Sequence, residues 1–352
     1  MPPNATCADP DLRTRPGEAE LTARKAREDE PEDGAVLAED DKYNSREKTR
    51  GPFGFKTSIK WSNTFYLVVL HSLGCYYLLT FPYLSHWRTV MWGMLLGLVG
   101  GFGVTGGAHR YWTHRSYKAN LPMRVLLMLC YCSAGQNSIY DWVRDHRVHH
   151  RYSETDADPH NSNRGFFFAH VGWLMLRKHP EVIRRGNEVD MSDITADPVV
   201  KFAQKYFVPL KLLLAFVLPV AIPVYLWNES WYLAAVSQCF MRYMLSLNFT
   251  WSVNSAAHLW GNKPYDKSIG PAENRLVSFL AVGEGWHNYH HVFPWDYKAA
   301  EVGYDFNLTT GIIDFFALVG WAYDRKQPSR ELVESVVQKR GDGSQRADTK
   351  HR

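Results

Sequence analysis

Nine of the chain's fifteen histidines fall into four compact groups. His109 and His114 form an H-x4-H pair, and His146, His149 and His150 form H-x2-H-H. His258 closes the run Asn254-Ser-Ala-Ala-His258, and His287, His290 and His291 repeat H-x2-H-H. On a helix, positions i, i+3 and i+4 share a face, so each H-x2-H-H run offers three imidazoles to one region, and Asn254 and His258 pair likewise. His109 and His114 stand about 140° apart around a regular helix and cannot point one way unless the helix ends or bends between them. Two metal ions side by side, straddled by the pair, account for that spacing. Nine ring nitrogens exceed the ligand set of any single structural or catalytic zinc. The pattern therefore predicts two ions with at least one open position. Imidazole accepts Zn, Cu, Fe or Ni, so ligand type leaves the metal open. The other histidines, His71, His86, His160, His170, His179 and His351, read as ordinary surface or core residues. Glu154, Asp156, Asp158 and Glu284 stand near the boxes and are expected to orient the imidazoles from behind.

The elements that position these groups lie in a membrane. The averages, 45 % hydrophobic and 22 % charged residues with a net charge of +4 and a mean hydropathy of -0.32, would suit a soluble enzyme, but the apolar residues are clustered. Segments 61–83, 89–108, 208–227 and 231–249 each approach the roughly 20 apolar residues a bilayer requires. The second is rich in glycine, the third contains Pro219 and Pro223, and Arg242 in the fourth must face protein or water. A membrane enzyme suggests oxygen chemistry, and hence iron.

The links 84–88 and 228–230 are short, so both termini and the long central loop share one side. Their Lys and Arg content places that side in the cytosol. The sequon at Asn228 then faces the lumen, too close to the membrane for glycosylation. Stretches 121–134 and 311–323 are too short to cross and fit interfacial or buried helices. Residues 1–55, charged and nearly free of aromatics, read as a disordered cytosolic tail without a cleavable signal peptide. Residues 56–328 form the membrane domain, and 329–352 a cytosolic C-terminal tail. Five scattered cysteines without a CxxC pair argue against a disulfide framework or zinc ribbon. No basic stripe interleaves with aromatics, which argues against nucleic-acid binding.

Four motifs then make the chain recognisable: His109-Arg-Tyr-Trp-Thr-His114; Asp145-His-Arg-Val-His-His150 running on from Tyr152 to His160; Gly165-Phe-Phe-Phe-Ala-His-Val-Gly-Trp173; and Gly283-Glu-Gly-Trp-His-Asn-Tyr-His-His291. From about Trp61 to Arg325 the chain resembles the stearoyl-CoA (Δ9-type) acyl-CoA desaturases, with insect-like features. The resemblance implies an all-α integral membrane protein, mushroom-shaped, with four transmembrane helices under a cytosolic helical cap that holds two irons. It assigns one iron to His109, His114, His146, His149 and His290. The other takes His150, His258, His287 and His291, with Asn254 acting through water. It implies O2-dependent insertion of a cis double bond, Δ9, into a long-chain fatty acyl-CoA in the endoplasmic reticulum membrane. Electrons come from a separate cytochrome b5 and its NADH-dependent reductase, because no haem segment is fused on. CoA contacts carried over by motif are Asn63, Asn137, Arg144, Asp145, Arg177, Lys178 and Trp251. Gln136, Trp142 and Thr250 match residues that bend the acyl tunnel at the metals.

The rival readings are a di-iron acyl hydroxylase or acetylenase, a non-Δ9 acyl-CoA desaturase, and a non-enzymatic lipid or metal carrier. Retention of all nine histidines and Asn254 weighs against the carrier. One departure from the family stands out. Gly93, Gly97 and Gly101 lie in line at i, i+4 and i+8, and mammalian relatives place a bulky Tyr at the position of Gly97. Small residues there serve either close helix packing or a deeper acyl tunnel, with Gly97 and Gly101 setting chain length.

Overall fold

The computed structural model describes residues 57–301 and 305–345. The expected N-terminal tail (1–55) and His351 lie outside the described residues. Helix α1 (Trp61–Thr80) ends one residue before Phe81-Pro82, where the missing proline N–H and its ring exclude another turn. Helix α2 (Trp87–Thr113) follows, then α3 (Leu121–Ser133) and α4 (Ile139–Tyr152). Asn120 caps α3 by accepting from the Met123 N–H at 3.1 Å, and Ser138 caps α4 by accepting from the Asp141 N–H at 3.2 Å.

Beyond the central loop come α5 (Phe207–Trp227), α6 (residues 231–259), α7 (His287–Val292), α8 (Leu308–Leu318) and α9 (Arg330–Arg340). Asn228 ends α5 in the left-handed conformation (φ 57°), and Ser230 caps α6. A two-stranded antiparallel sheet pairs β1 (Lys118–Ala119) with β2 (Ala322–Tyr323). The main core lies where α2, α3 and α4 meet, around Phe102, Trp112, Leu127, Tyr131 and Val143.

The last eleven residues of α2, Gly103–Thr113, are wound as a π-helix, and the N–H of His114 donates to the carbonyl of His109 at 3.1 Å. That i to i+5 bond brings five-apart residues onto one face. The straddling expected from a regular helix is thereby corrected: the ring centroids of His109 and His114 are 4.9 Å apart. Glycine makes the segment possible. A Cβ on Gly103 would stand 2.1 Å from the backbone nitrogen of Tyr131 in α3.

Among the described residues, α2 and α5 are long and apolar enough to cross a membrane. The other two expected spans are helical but carry more polar residues: His71 in α1, and Gln238, Arg242 and Asn248 in α6. Stretch 121–134 is helical as expected. Stretch 311–323 divides instead, with α8 ending at Leu318, Gly320 taking a positive φ of 74°, and Tyr323 joining the sheet. The expected C-terminal tail is in fact helical over Arg330–Arg340. Val333, Val336 and Val337, at i, i+3 and i+4, pack that helix against Tyr265, Tyr289 and Phe293.

Candidate metal centre

The nine histidines converge as two groups. His109 and His114 from the end of α2, His146 and His150 from α4, and His290 from α7 form one. His149 from α4, His258 from α6, and His287 and His291 from α7 form the other, and in each group the ligand atoms lie within 4.8 Å of one another. This division departs from the one implied by resemblance, because His149 and His150 exchange groups. The reason is helical phase. Residues four apart differ by about 40° and point together, whereas the third of the set turns about 60° the other way. So His146 and His150 face one group while His149 crosses over, and His287 and His291 mirror them while His290 crosses back.

Ring nitrogens meet at the centres of both groups. Nε2 of His290 is 2.9 Å from that of His109 and 3.0 Å from that of His150, and His146 and His150 are 3.2 Å apart. In the other group Nε2 of His287 is 3.0 Å from that of His258 and 3.1 Å from that of His291. Nitrogens about 3 Å apart match two ligands at right angles about 2.1 Å from a shared ion. Nε2 of His114 and of His149 is buried without a hydrogen-bonding partner, the condition of a ligand atom whose ion supplies its missing contact. The donor set fits transition-metal ions. Asn254 lies one turn from His258 on α6 and lines the adjoining cavity.

Three of the four expected carboxylates stand behind these rings. Asp158 Oδ1 is 2.8 Å from His149 Nδ1, Glu284 Oε2 is 2.8 Å from His109 Nδ1, and Glu154 Oε1 is 3.3 Å from His258 Nδ1. Contact at Nδ1 holds the proton there and leaves Nε2 free to bind metal. Asp156 instead lines a small side cavity with Arg177 and Lys178. Burial opposes ionisation of Glu284, but Arg110 and His109 beside it hold its carboxyl down at about 2. Burial likewise opposes ionisation of Asp158, and His149 holds it well below the usual carboxylate range. Burial, then mutual repulsion, drives His114, His146, His150, His287, His290 and His291 well below the ordinary imidazole value. The rings are therefore neutral and keep a lone pair for metal.

Two contributors are not assigned to the site by the sequence reading. Arg110, 1 % exposed, donates to Glu284 and also to Thr310, Asn307 and the Tyr297 carbonyl. It locks the carboxylate behind His109, and its place inside the first histidine motif was the available signal. His160, read as ordinary, lies in a buried group with His149 and Asp158 and lines the cavity. By contrast His71, His86 and His170 find hydrogen-bond partners and His179 caps a helix, as ordinary histidines do.

A cavity of about 780 Å³ passes His109, His146 and His287 and continues between α2 and α6 to Thr89 and Tyr83. Asn63, Gln136, Asn137, Trp142, Asp145, Thr250 and Trp251 all line it, as do Gly97 and Gly101. Trp142 Nε1 donates to Gln136 Oε1 at 3.0 Å and Gln136 Nε2 to Thr250 Oγ1 at 3.1 Å, a polar brace across the cavity beside the histidines. Arg144 and Lys178 do not line it; both engage Asp145, which does. Arg177 is exposed beside the smaller cavity.

The fatty acid desaturase family model matches residues 55–300. An acyl-CoA Delta-9 desaturase of Acheta domesticus is 53 % identical over 301 residues, 84 % of this chain and 82 % of the relative. An acyl-CoA Delta(11) desaturase of Trichoplusia ni is 55 % identical over 74 % of each chain. Stearoyl-CoA desaturase 5 of Bos taurus is 49 % identical over 84 % of this chain and 88 % of its own.

Proposed function

This chain belongs to the fatty acid desaturase family, and we propose from that premise that its cavity threads a long-chain fatty acyl-CoA past a di-iron centre held by the two histidine groups. The chain is an acyl-CoA desaturase, an oxidoreductase that converts a saturated pair of carbons in the acyl chain into a double bond. The observation supporting the threaded pose is continuity: one apolar-walled cavity borders His109, His146 and His287 and also Gly97.

Two irons bound there would supply the oxidising power that takes one hydrogen from each of two adjacent methylenes, at the expense of O2 and two electrons. The protein's own residues do the rest. Trp142, Gln136 and Thr250 brace the wall beside the histidines and bend the chain there, so that one pair of carbons is presented. Asp158, Glu154 and Glu284 hold the ligating rings in one tautomer. At the mouth, Asn63, Asn137, Arg144, Asp145, Arg177, Lys178 and Trp251 face CoA, as the resemblance implies. The guanidinium and ammonium groups suit its phosphates.

The membrane setting extends this reading. α1 exposes Phe65, Tyr76 and Leu79, and α2 exposes Met91, Met94 and Leu98. Apolar surface on this scale favours lipid contact. The hairpin links and basic loops support four spans with both termini in the cytosol, and the family resemblance supports residence in the endoplasmic reticulum. A separate cytochrome b5 with its reductase then delivers electrons from the cytosolic side. The product is assigned as Δ9 by resemblance. Δ9 and Δ11 relatives are 53 % and 55 % identical, so overall similarity does not decide the position, and we assign that role to cavity depth. Expression in a yeast lacking its own desaturase, with double-bond position read by mass spectrometry, tests the proposal. Restored growth on saturated fatty acids with a Δ9 product is expected; a hydroxylated product would overturn it.

A further inference from the structure

The far end of the cavity is chemically unlike its middle. Beyond Gly97, one turn further along α2 and about 6 Å deeper, Gly93 faces Gln238 of α6. An ideal Cβ on Gly93 would stand 3.2 Å from Gln238 Nε2 and 3.6 Å from Oε1. The glutamine is wholly buried and lines the cavity. Its amide nitrogen donates to the Thr89 carbonyl at 3.2 Å and to Ser237 Oγ at 3.0 Å. Both amide protons are thereby used, and Oε1 is left with no partner.

Arg242, four residues further along α6, also lines the cavity and is 6 % exposed. Its guanidinium donates to the Ala215 carbonyl, but Nε is buried without a partner. No carboxylate among the described residues forms an ion pair with it. Behind this pocket, Thr89 Oγ1 donates to Glu229 at 2.5 Å and accepts from Trp227 Nε1 at 3.0 Å, while His86 Nδ1 lies 2.9 Å from Glu229. The floor is thus tied to both short interhelical links and is built to stay in place.

A terminal methyl group arriving here would leave a buried acceptor and a buried cationic donor unsatisfied, which disfavours binding. A hydroxyl group would supply a proton for Gln238 Oε1 and a lone pair for Arg242 Nε–H. Resting on the acyl-CoA reading above, we infer that the distal end of the cavity is a polar subsite for acyl chains bearing a hydroxyl group at or near their methyl terminus. A carboxylate there would serve only the arginine, since it brings no proton for Gln238.

The experiment uses the full chain in lipid nanodiscs. Binding of three acyl-CoA series is measured by calorimetry across even chain lengths: unmodified, ω-hydroxy and ω-carboxy. Desaturation of each by yeast microsomes containing the protein is read in parallel. At one chain length the ω-hydroxy compound should bind about tenfold or more tightly than its unmodified counterpart. Gln238→Leu should reverse that ratio, and Gln238→Glu should restore part of it. Equal affinity for unmodified and ω-hydroxy chains at every length would overturn the subsite, since water would then satisfy both groups. So would an unchanged ratio in Gln238→Leu, or a preference for the carboxylate. If no compound is desaturated, the proposed reaction falls, while the binding ratio still decides the subsite.

Discussion

His150 and His291 lie face to face, ring centroids 4.2 Å apart and planes 16° from parallel, yet they belong to different histidine groups. Each is the i+4 member of the i, i+4 pair of its own motif, and between them the motifs exchange their i+3 members, His149 and His290. The two groups therefore share a wall of stacked rings.

That exchange predicts how ligand deletions combine. His149→Ala and His258→Ala act on one group, so the double variant should retain about as much metal as either single variant, near half of the full content. His149→Ala with His290→Ala strikes both groups and should retain almost none. Metal analysis of the purified chains decides; a full loss from His149→Ala with His258→Ala would contradict the division seen here.

Glu284 should matter through His109 rather than through substrate. Glu284→Gln removes the charge that fixes the ring, and metal affinity should fall by about 10- to 100-fold. Arg110→Met should lower it too, because the carboxylate would lose its clamp. Added metal salt should restore most activity to Glu284→Gln, read as turnover against metal concentration; activity that metal cannot restore would place Glu284 elsewhere in the reaction.

Packing explains the neighbouring Gly100 and Gly103, which lie off the Gly93, Gly97 and Gly101 line: an added Cβ there would meet α3 or the residues after it at 3.2 Å and 2.1 Å. Gly97 is different. Its added Cβ would meet only Ser246 Oγ, at 3.7 Å, and Gly101 only Val282 Cγ2, at 3.6 Å. Gly97→Tyr should therefore fold, block the cavity beyond that turn and shift activity toward shorter acyl-CoAs. Product chain lengths from microsomes fed a mixed series give the answer, and an unmoved distribution would mean that the chain does not reach Gly97.

The C-terminal helix should stabilise the metal-bearing region. Val333 is buried against the cluster that contains Tyr289, a neighbour of two ligands on α7. Val333→Asp places a charge there and should cost about 2 kcal/mol or more. A thermal midpoint lowered by several degrees with reduced metal content is expected; an unchanged midpoint would show that α9 is dispensable.

Electron supply has its own signature. Purified chain with acyl-CoA and O2 should form no product until cytochrome b5 and its NADH-dependent reductase are added. Sustained turnover without a reductant would exclude that partner.

Much of the site was legible because its information is local. Two H-x2-H-H runs, an Asn-x3-His pair and an H-x4-H pair specify ligand type and number, and side-chain periodicity along a helix is enough to see that they act in sets. Hydrophobic length similarly marked the four long helices, though among the described residues only α2 and α5 are apolar enough to stand as spans by composition. What the one-dimensional pattern could not hold was phase between elements. Which group His149 joins depends on how α4 faces α7, and whether His109 and His114 converge depends on a π-helical winding that glycines permit and packing against α3 selects. Arg110, Glu284 and Thr310 are far apart in sequence and meet only after α2, the turn before α7 and α8 have docked. The same holds for the floor of the cavity. Arg242 reads from the sequence as a costly charge in an apolar helix, and only the packing of α6 against Gly93 of α2 shows that it and Gln238 line the far end of the cavity.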